Sequence, residues 1–262
     1  MLCDTEGQNV IDTWNLEGRL AVITGADTTL GLTTCRELAR AKARVVMVSK
    51  DSHIVTESAD QLSAETAMPV ESFPADVTTD AGVAALEKFI HARHAQVDIL
   101  INGLHHLGGE TADALAIGDP DWLTSFTVNV LTPYRLIRTL GERMRAGRGG
   151  SIIHVLGGTG FALNTLKLPL AAMNAALWNM TRALSVEMAP FVRVNAVCGA
   201  ARFDTFHARD GFGGDGDEIA LSAAPPGREA GPDEVAAAIM YLAADTACST
   251  TGTLLTVGGE QA

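Results

Sequence analysis

Short apolar runs rich in valine, isoleucine and leucine alternate with helical patterns along the chain, and this alternation most constrains the fold. Each run is apolar at consecutive positions, which is typical of strands buried on both faces of a parallel sheet. Parallel neighbours need a crossover connection, and the helical patterns between the runs supply it. The sequence therefore predicts an α/β fold with a single Rossmann-like, doubly wound parallel sheet and helices on both faces. The predicted strands lie in segments 19–25, 44–49, 70–77, 97–103, 151–156, 192–197 and 252–259.

The chain has the size and composition of a single domain. Its 262 residues are 47% hydrophobic, which is enough for one sizeable core, and no repeat or linker divides them. We therefore predict one domain over residues 1–262, with an N-terminal extension at 1–17. Residues 202–232 are rich in glycine, aspartate and proline, which is typical of a long mobile loop or lid over a site.

An acidic balance argues against several classes of partner. The net charge of −12 and the pI of about 4.9 argue against nucleic acid and anionic membranes, since both bind basic surfaces. No apolar run is long enough to span a membrane, and the acidic N-terminus does not resemble a signal peptide. The cysteines show no CxxC spacing, so neither a metal site nor a disulfide framework is indicated. We expect a cytoplasmic protein without a bound metal.

Several short motifs occur in a shared order and spacing over nearly the whole chain. The glycine turn after the first predicted strand, the motifs after the third and fourth strands, and the C-terminal helix and strand together resemble the short-chain dehydrogenase/reductase superfamily. That resemblance implies hydride transfer between NAD(P) and an alcohol or carbonyl. The residues that carry the resemblance on the dinucleotide side are Gly25, Gly31, Asp76, Val77 and Asn102, and segments 128–130 and 193–197 extend it.

The catalytic residues that the resemblance implies are missing at their expected positions. The superfamily uses a tyrosine acid/base, a lysine one helical turn later, a serine on the preceding strand end and a relay asparagine. Here Leu170 stands at the tyrosine position and Asn174 at the lysine position. Gly157 replaces the serine, and only the relay residue, Asn129, is retained. Leucine has no proton to give, and a positioned general acid contributes roughly 10²–10⁴-fold to the rate, so we expect no efficient ketone reduction.

These substitutions favour a non-catalytic subunit. We predict a pseudoenzyme that assembles with an active paralogous dehydrogenase in a hetero-oligomer, which we expect to be a heterotetramer. Paired hydroxyacyl-CoA dehydrogenases of aromatic-compound degradation, in which one subunit lacks the catalytic set, are similar. The helix after the fifth predicted strand keeps an apolar stripe suited to helix-on-helix packing, formed by Leu170, Met173, Leu177, Met180 and Leu184.

The glycine turn of the dinucleotide site is also altered. In "TGADTTLG" Gly25 and Gly31 remain, but Thr29 stands where the superfamily has a glycine that lets the backbone approach the pyrophosphate. We therefore expect either no cofactor or weak NAD(P) binding. Ser49 ends the second predicted strand and Lys50 follows it. A basic residue at this position slightly favours NADP through its 2′-phosphate, although Lys50 is equally well a solvated loop residue.

Two other functions remain open. The fold would support a non-redox enzyme, such as a dehydratase, cyclase or isomerase, with His105, His106 or His154 as its acid/base. It would also support an NADP-binding sensor. Against the first alternative, adjacent histidines in a loop are more often surface residues, and a histidine within a strand is more often structural.

Overall fold

Seven parallel strands form one sheet in the computed structural model, which describes residues 14–106, 113–157, 168–199 and 230–258. The strand order is β3-β2-β1-β4-β5-β6-β7. This confirms the predicted Rossmann-like, doubly wound sheet. The strands are β1 (Leu20–Thr24), β2 (Arg44–Ser49), β3 (Val70–Pro74), β4 (Ile99–Asn102), β5 (Gly150–Leu156), β6 (Val192–Gly199) and β7 (Leu254–Val257).

Helices connect the strands on both faces of the sheet. Five are regular: α1 (Thr29–Arg40), α2 (Ser52–Thr66), α3 (Asp80–Arg93), α5 (Leu168–Glu187) and α6 (Pro232–Ala243). The long helix α4 covers 119–146, and short 3₁₀ turns occupy Ala114–Ala116 and Asp245–Ala247.

Side-chain caps fix where the first three helices begin. Thr28 and Thr79 accept hydrogen bonds from the third residue after them, and Asp51 accepts from the N–H groups of His53 and Ile54. Each cap satisfies backbone donors that the first helical turn leaves without partners. These helices therefore start directly after the carboxyl ends of β1, β2 and β3.

Helix α4 contains two π-helical segments. It runs through α-helical Asp119–Phe126, π-helical Thr127–Leu131, α-helical Thr132–Leu136, π-helical Ile137–Gly141 and α-helical Glu142–Ala146. A π-helical turn inserts a residue and changes the direction of the side chains after it. The apolar pattern predicted a single helix from about residue 121 to 144, and it did not predict these segments.

Two apolar layers cover the sheet. Alternate strand residues such as Ile23, Ile101 and Ile153 pack with α1, α2 and α6. Their neighbours Leu100 and Ile152 face the other way and pack with α3 and α4. Because successive side chains of a strand point to opposite faces, consecutive apolar residues are needed to fill both layers.

The carboxyl ends of all seven strands meet at one edge, where sites of this architecture form. Strands β1, β2 and β3 extend the sheet in one direction, and β4 to β7 extend it in the other. The change of direction lies between β1 and β4, which are neighbours with Thr24 opposite Asn102. This places the turns after β1, β2, β3, β4 and β5 side by side.

Some expectations fall outside the described residues or are not met. Residues 1–13 of the expected extension and 202–229 of the expected lid lie outside the described ranges. Cys35 and Cys198 are buried thiols, whereas Cys248 is disulfide-bonded, which the cysteine spacing did not indicate. Within the described ranges, no helix is long and apolar enough to cross a membrane, and no cluster of histidine, cysteine and carboxylate side chains is arranged for a metal ion.

Candidate active site

The turn after β1 is built from backbone groups in close contact. Gly25 has a φ of +68°, and a Cβ atom there would lie 2.5 Å from the carbonyl oxygen of Gly103, which follows β4. A Cβ on Gly31, in the first turn of α1, would collide with the carbonyl oxygen of Gly25. Only glycine fits these two positions, which is how the dinucleotide turn of this architecture brings strand, helix and ligand together.

The N-terminus of α1 faces the same edge. The Thr28 hydroxyl donates to the Gly25 oxygen at 2.9 Å and accepts from the Gly31 nitrogen at 3.0 Å, which fixes the helix to the turn. Gly25, Thr28, Gly31 and Gly103 line a common pocket. The Thr29 side chain is exposed, so it does not fill the turn from within. A helix N-terminus with this backbone cradle fits the pyrophosphate of a dinucleotide.

A charged pair lies on the adenosine side of this edge. Lys50 is exposed directly after β2. The hydrogen bond from Thr78 Oγ1 lowers the pKa of Asp76, and the Thr78 N–H and the Lys50 charge lower it further. Val77 is buried in the layer under α3, so it supports the turn from below. The structure therefore groups Lys50 and Asp76 at the end where a ribose and adenine would bind.

Asn102 connects the turn to the centre of the sheet. It is buried at the end of β4, opposite Thr24 on β1 and His154 on β5. The next residue, Gly103, donates its N–H to Thr24 Oγ1 at 3.2 Å.

Gly157, Leu170 and Asn174, at the positions where the superfamily resemblance implies catalytic residues, lie together in the structure. Asn174 on α5 accepts from the Gly157 nitrogen at 3.2 Å and donates to the Gly157 oxygen at 3.3 Å. Leu170 lies one turn before Asn174, and its Cδ1 would be 3.3 Å from a Cβ on Gly157. Both side chains are almost fully buried, at 1% and 2% exposure. The pair ties α5 to the end of β5 and places no titratable group there.

Asn129 lies in the first π-helical segment of α4. Its amide oxygen accepts from the His106 nitrogen at 2.8 Å, and its amide nitrogen donates to the His106 oxygen at 2.9 Å. The two bonds hold the segment that follows β4 against α4. Asn129 therefore positions the backbone of the segment that follows β4.

The three candidate histidines have different environments. His105 Nδ1 lies 2.9 Å from the Gly103 oxygen and Nε2 lies 2.6 Å from the Val155 oxygen, so both ring nitrogens are engaged. Burial lowers the pKa of His105, and the two hydrogen bonds act against that effect. His154 is fully buried within the sheet, and burial lowers its pKa to about 3. The His106 ring is partly exposed at the end of the segment held by Asn129.

Sequence reasoning missed two residues that shape the site. Thr28 directly precedes α1, and a threonine before an apolar helical pattern is a recognised N-cap signal. Thr181 bonds to the His154 ring at 2.8 Å from a different element, and the sequence held no signal for that contact.

Comparisons with known proteins agree on the class of this fold. Residues 25–259 match the family described as enoyl-(acyl carrier protein) reductase. The chain is 30% identical over 256 residues to galactitol 2-dehydrogenase (L-tagatose-forming) of Cereibacter sphaeroides, covering 94% of this chain and 96% of that relative. It is 29% identical over 248 residues to the 3-oxoacyl-[acyl-carrier-protein] reductase FabG of Escherichia coli, covering 94% and 98%. The structure of L-sorbose reductase from Gluconobacter frateurii, solved with NADPH and L-sorbose, has a TM-score of 0.84 and 27% identity, covering 94% and 98%.

These relatives correct two expectations. The prediction of a non-catalytic pseudoenzyme subunit is wrong, because the relatives are named as active dehydrogenases and reductases. The same names give no support to the non-redox enzyme or the sensor. The expectation of no or weak NAD(P) is also wrong, because the L-sorbose reductase carries NADPH. The first expectation gave too much weight to Gly157, Leu170 and Asn174. The second gave too much weight to Thr29, which is exposed and leaves the backbone cradle at Gly25 and Gly31 intact.

The matches extend over most of the chain, and the relatives named above are all dehydrogenases or reductases. The family model covers most of the chain, and the relatives are aligned over nearly their whole length. The chain belongs to the short-chain dehydrogenase/reductase superfamily, within the family described as enoyl-(acyl carrier protein) reductase.

Proposed function

We propose that this chain is an NAD(P)-dependent oxidoreductase that interconverts a hydroxyl and a carbonyl group. The observation that carries the proposal is the cradle at Gly25, Gly31 and Gly103, where backbone segments approach too closely for any Cβ. The relatives with dehydrogenase and reductase names support it. When bound, the dinucleotide supplies the hydride chemistry.

The chain's own residues would hold the two ends of the dinucleotide differently. The N–H groups at the start of α1 and the positive end of its dipole would bind the pyrophosphate. Lys50, exposed beside Asp76, would meet a 2′-phosphate, so we propose that NADP is preferred over NAD. A charge-assisted hydrogen bond from lysine to a phosphate contributes more binding free energy than a bond from lysine to a neutral hydroxyl.

Isothermal titration calorimetry with NADP and NAD tests this part of the proposal. We expect NADP to bind more tightly, and Lys50→Ala to weaken NADP binding about tenfold with little effect on NAD. Lys88→Ala, an exposed lysine on α3, is the matched control and leaves both affinities unchanged. If neither dinucleotide binds at millimolar concentration, the proposed function is refuted.

Proton exchange with the substrate oxygen needs a group other than Leu170 and Asn174. Of the three candidate histidines, His105 is engaged through both nitrogens and His154 lies inside the sheet. We propose His106 for this role, because its ring is partly exposed and Asn129 fixes its backbone next to the strand end.

Steady-state kinetics of a His106→Gln variant test that role. Loss of a positioned acid/base should lower kcat about 100-fold while leaving NADP affinity unchanged. His53→Gln, at an exposed position on α2, is the control and keeps the wild-type rate. Suitable substrates to screen are polyols and 3-oxoacyl thioesters, the classes named in two relatives. An unchanged kcat in His106→Gln would exclude the residue but not the oxidoreductase.

We also propose that the chain assembles with a second chain of this fold, either its own copy or a paralogue. Helices α4 and α5 pack together and expose large apolar side chains. These are Leu123, Phe126 and Tyr134 on α4 and Leu168 and Val186 on α5. Large exposed apolar side chains grouped on one helix pair are typical of a protein–protein interface.

A further inference from the structure

Two buried side chains below the carboxyl edge of the sheet carry polar atoms without hydrogen-bond partners. Both amide atoms of Asn102 and the Nε2 atom of His154 are shielded from solvent and unpaired. Such groups are rare in folded proteins, and each costs about 1–3 kcal/mol when it stays unsatisfied. Neither residue takes part in the proposed binding of the dinucleotide or the transfer of a proton.

The two side chains are neighbours. Asn102 on β4 and His154 on β5 are register partners in a parallel pair, so their side chains project to the same face of the sheet. Adjacent strands lie about 4.8 Å apart, which brings the amide and the imidazole side by side. Leu100 and Ile152, two residues earlier on each strand, place that face in the apolar layer under α3 and α4.

The hydrogen bonds of Thr181 determine which nitrogen of His154 carries the proton. Thr181 Oγ1 donates its one hydrogen to the Leu177 oxygen at 2.8 Å. It must therefore accept from His154 Nδ1, which lies 2.8 Å away. A neutral imidazole has one N–H and one lone pair, so Nε2 is a bare acceptor. Asn102 Oδ1 is a second bare acceptor beside it.

We propose that an ordered internal water molecule occupies the space between Asn102 and His154 and donates one hydrogen to Nε2 and the other to Oδ1. Two neighbouring acceptors in a closed apolar layer need a small neutral molecule that donates twice, and water meets that requirement. Buried waters typically satisfy polar groups that the protein leaves unpaired. If the amide of Asn102 is rotated by 180°, the same water still bridges the two residues.

This water would connect the ends of two strands that support the site. Asn102 immediately precedes Gly103, which contacts the Gly25 turn, and His154 lies three residues before Gly157. The bridge would fix β4 and β5 relative to each other directly below the proposed cofactor cleft. It stands independently of the proposed function.

A high-resolution crystal structure of the wild-type chain, with ¹⁵N NMR of the histidine side chains, tests the proposal. We expect density for one water within hydrogen-bonding distance of Nε2 and of the Asn102 amide, and a neutral ring protonated at Nδ1. An empty space, a direct bond between Asn102 and His154, or a ring protonated at Nε2 would each overturn it.

Two variants test the presence of the water and the tautomer of His154 separately. Asn102→Leu, of similar volume, should expel the water and raise the unfolding equilibrium constant about tenfold. Thr181→Val removes the acceptor of Nδ1, so the NMR spectrum should show a mixture of the two tautomers. A Thr181→Val ring that stays fully protonated at Nδ1 would contradict the assigned role of Thr181.

Discussion

At the scale of single residues, the surroundings of a side chain decide its chemistry more than its type does. The three candidate histidines illustrate this. His105 bridges two backbone oxygens, His154 is enclosed in the sheet, and His106 is partly exposed. The sequence could nominate all three, but it could not separate them, because their partners come from other elements.

The burial of His154 makes stability depend on pH. Its folded-state pKa of about 3 lies below the usual histidine value of 6.5. Below pH 6.5 the unfolded chain therefore binds a proton that the folded chain does not, and stability falls as the pH falls. The linkage corresponds to about 2 kcal/mol lost between pH 7.5 and pH 5.

Chemical denaturation of wild type and His154→Asn across that pH range measures the effect. Asparagine can still donate to Thr181 but does not titrate. Between pH 7.5 and pH 5 the free energy of unfolding of the variant should therefore fall by about 2 kcal/mol less than that of wild type. Contributions of other groups are shared by both chains and cancel in the difference. Parallel pH profiles would show that His154 does not cause the acid sensitivity.

Asn174 and Leu170 show what sequence reasoning could and could not reach. Both lie against Gly157 in the structure, since residues one helical turn apart share a face. The conclusion of a non-catalytic chain did not follow from that placement. Three residues describe the nicotinamide side alone, whereas the cofactor cradle depends on backbone geometry at Gly25 and Gly31.

At the scale of elements, the strands were the most predictable part of the molecule. The predicted strand 44–49 is β2 without any shift, and 192–197 lies within β6. Continuous apolar runs leave little freedom in a sheet that is covered on both faces. Helix α4 was less predictable, since its π-helical segments serve contacts such as the Asn129 bonds to His106, which join parts distant in sequence.

The end of α6 depends on a buried arginine from the sheet. Arg193 on β6 donates to the Leu242 oxygen at 2.7 Å and to the Ala244 oxygen at 3.2 Å, and burial lowers its pKa to about 10. Ser151 Oγ donates to the same Leu242 oxygen at 2.8 Å. These bonds satisfy carbonyls that the last turn of a helix leaves free.

Replacing this arginine should destabilise the fold without altering the cofactor cleft. We expect Arg193→Met to lower the free energy of unfolding by about 1–3 kcal/mol, because each of two buried carbonyls loses a hydrogen bond from a charged donor. The Leu242 oxygen then keeps only the Ser151 hydroxyl, and the Ala244 oxygen keeps only the Ala247 N–H. Arg182→Met, at an exposed position on α5, should change it by less than about 0.5 kcal/mol. Urea denaturation gives both values, and equal stabilities would argue against the capping role of Arg193.

At the scale of the whole molecule, helices α4 and α5 together expose several large apolar side chains. Leu123 and Val186 are 64% and 79% exposed on α4 and α5. Burying such a side chain fully contributes roughly 1.5–3 kcal/mol of free energy, so a partner surface that covered these residues would stabilise the chain.

Native mass spectrometry of the purified chain tests assembly. We expect an oligomer, and we expect Leu123→Asp with Val186→Asp to shift it to monomer, because both changes place a charge in an apolar contact. Ile54→Asp, an exposed apolar position on α2, is the control and keeps the oligomer. A wild-type chain that is monomeric, both alone and in extracts of its native source, would contradict the proposed assembly.

The two hydrogen bonds between Asn174 and Gly157 limit which substitutions this part of the chain can accept. Lysine at 174 would remove both amide hydrogen bonds to the Gly157 peptide, and tyrosine at 170 would have to fit a space that Leu170 fills. Serine at 157 would press on Leu170. Each single change toward the superfamily's usual residues would therefore disturb contacts of the other two positions, so we expect these three residues to tolerate joint replacement better than replacement one at a time.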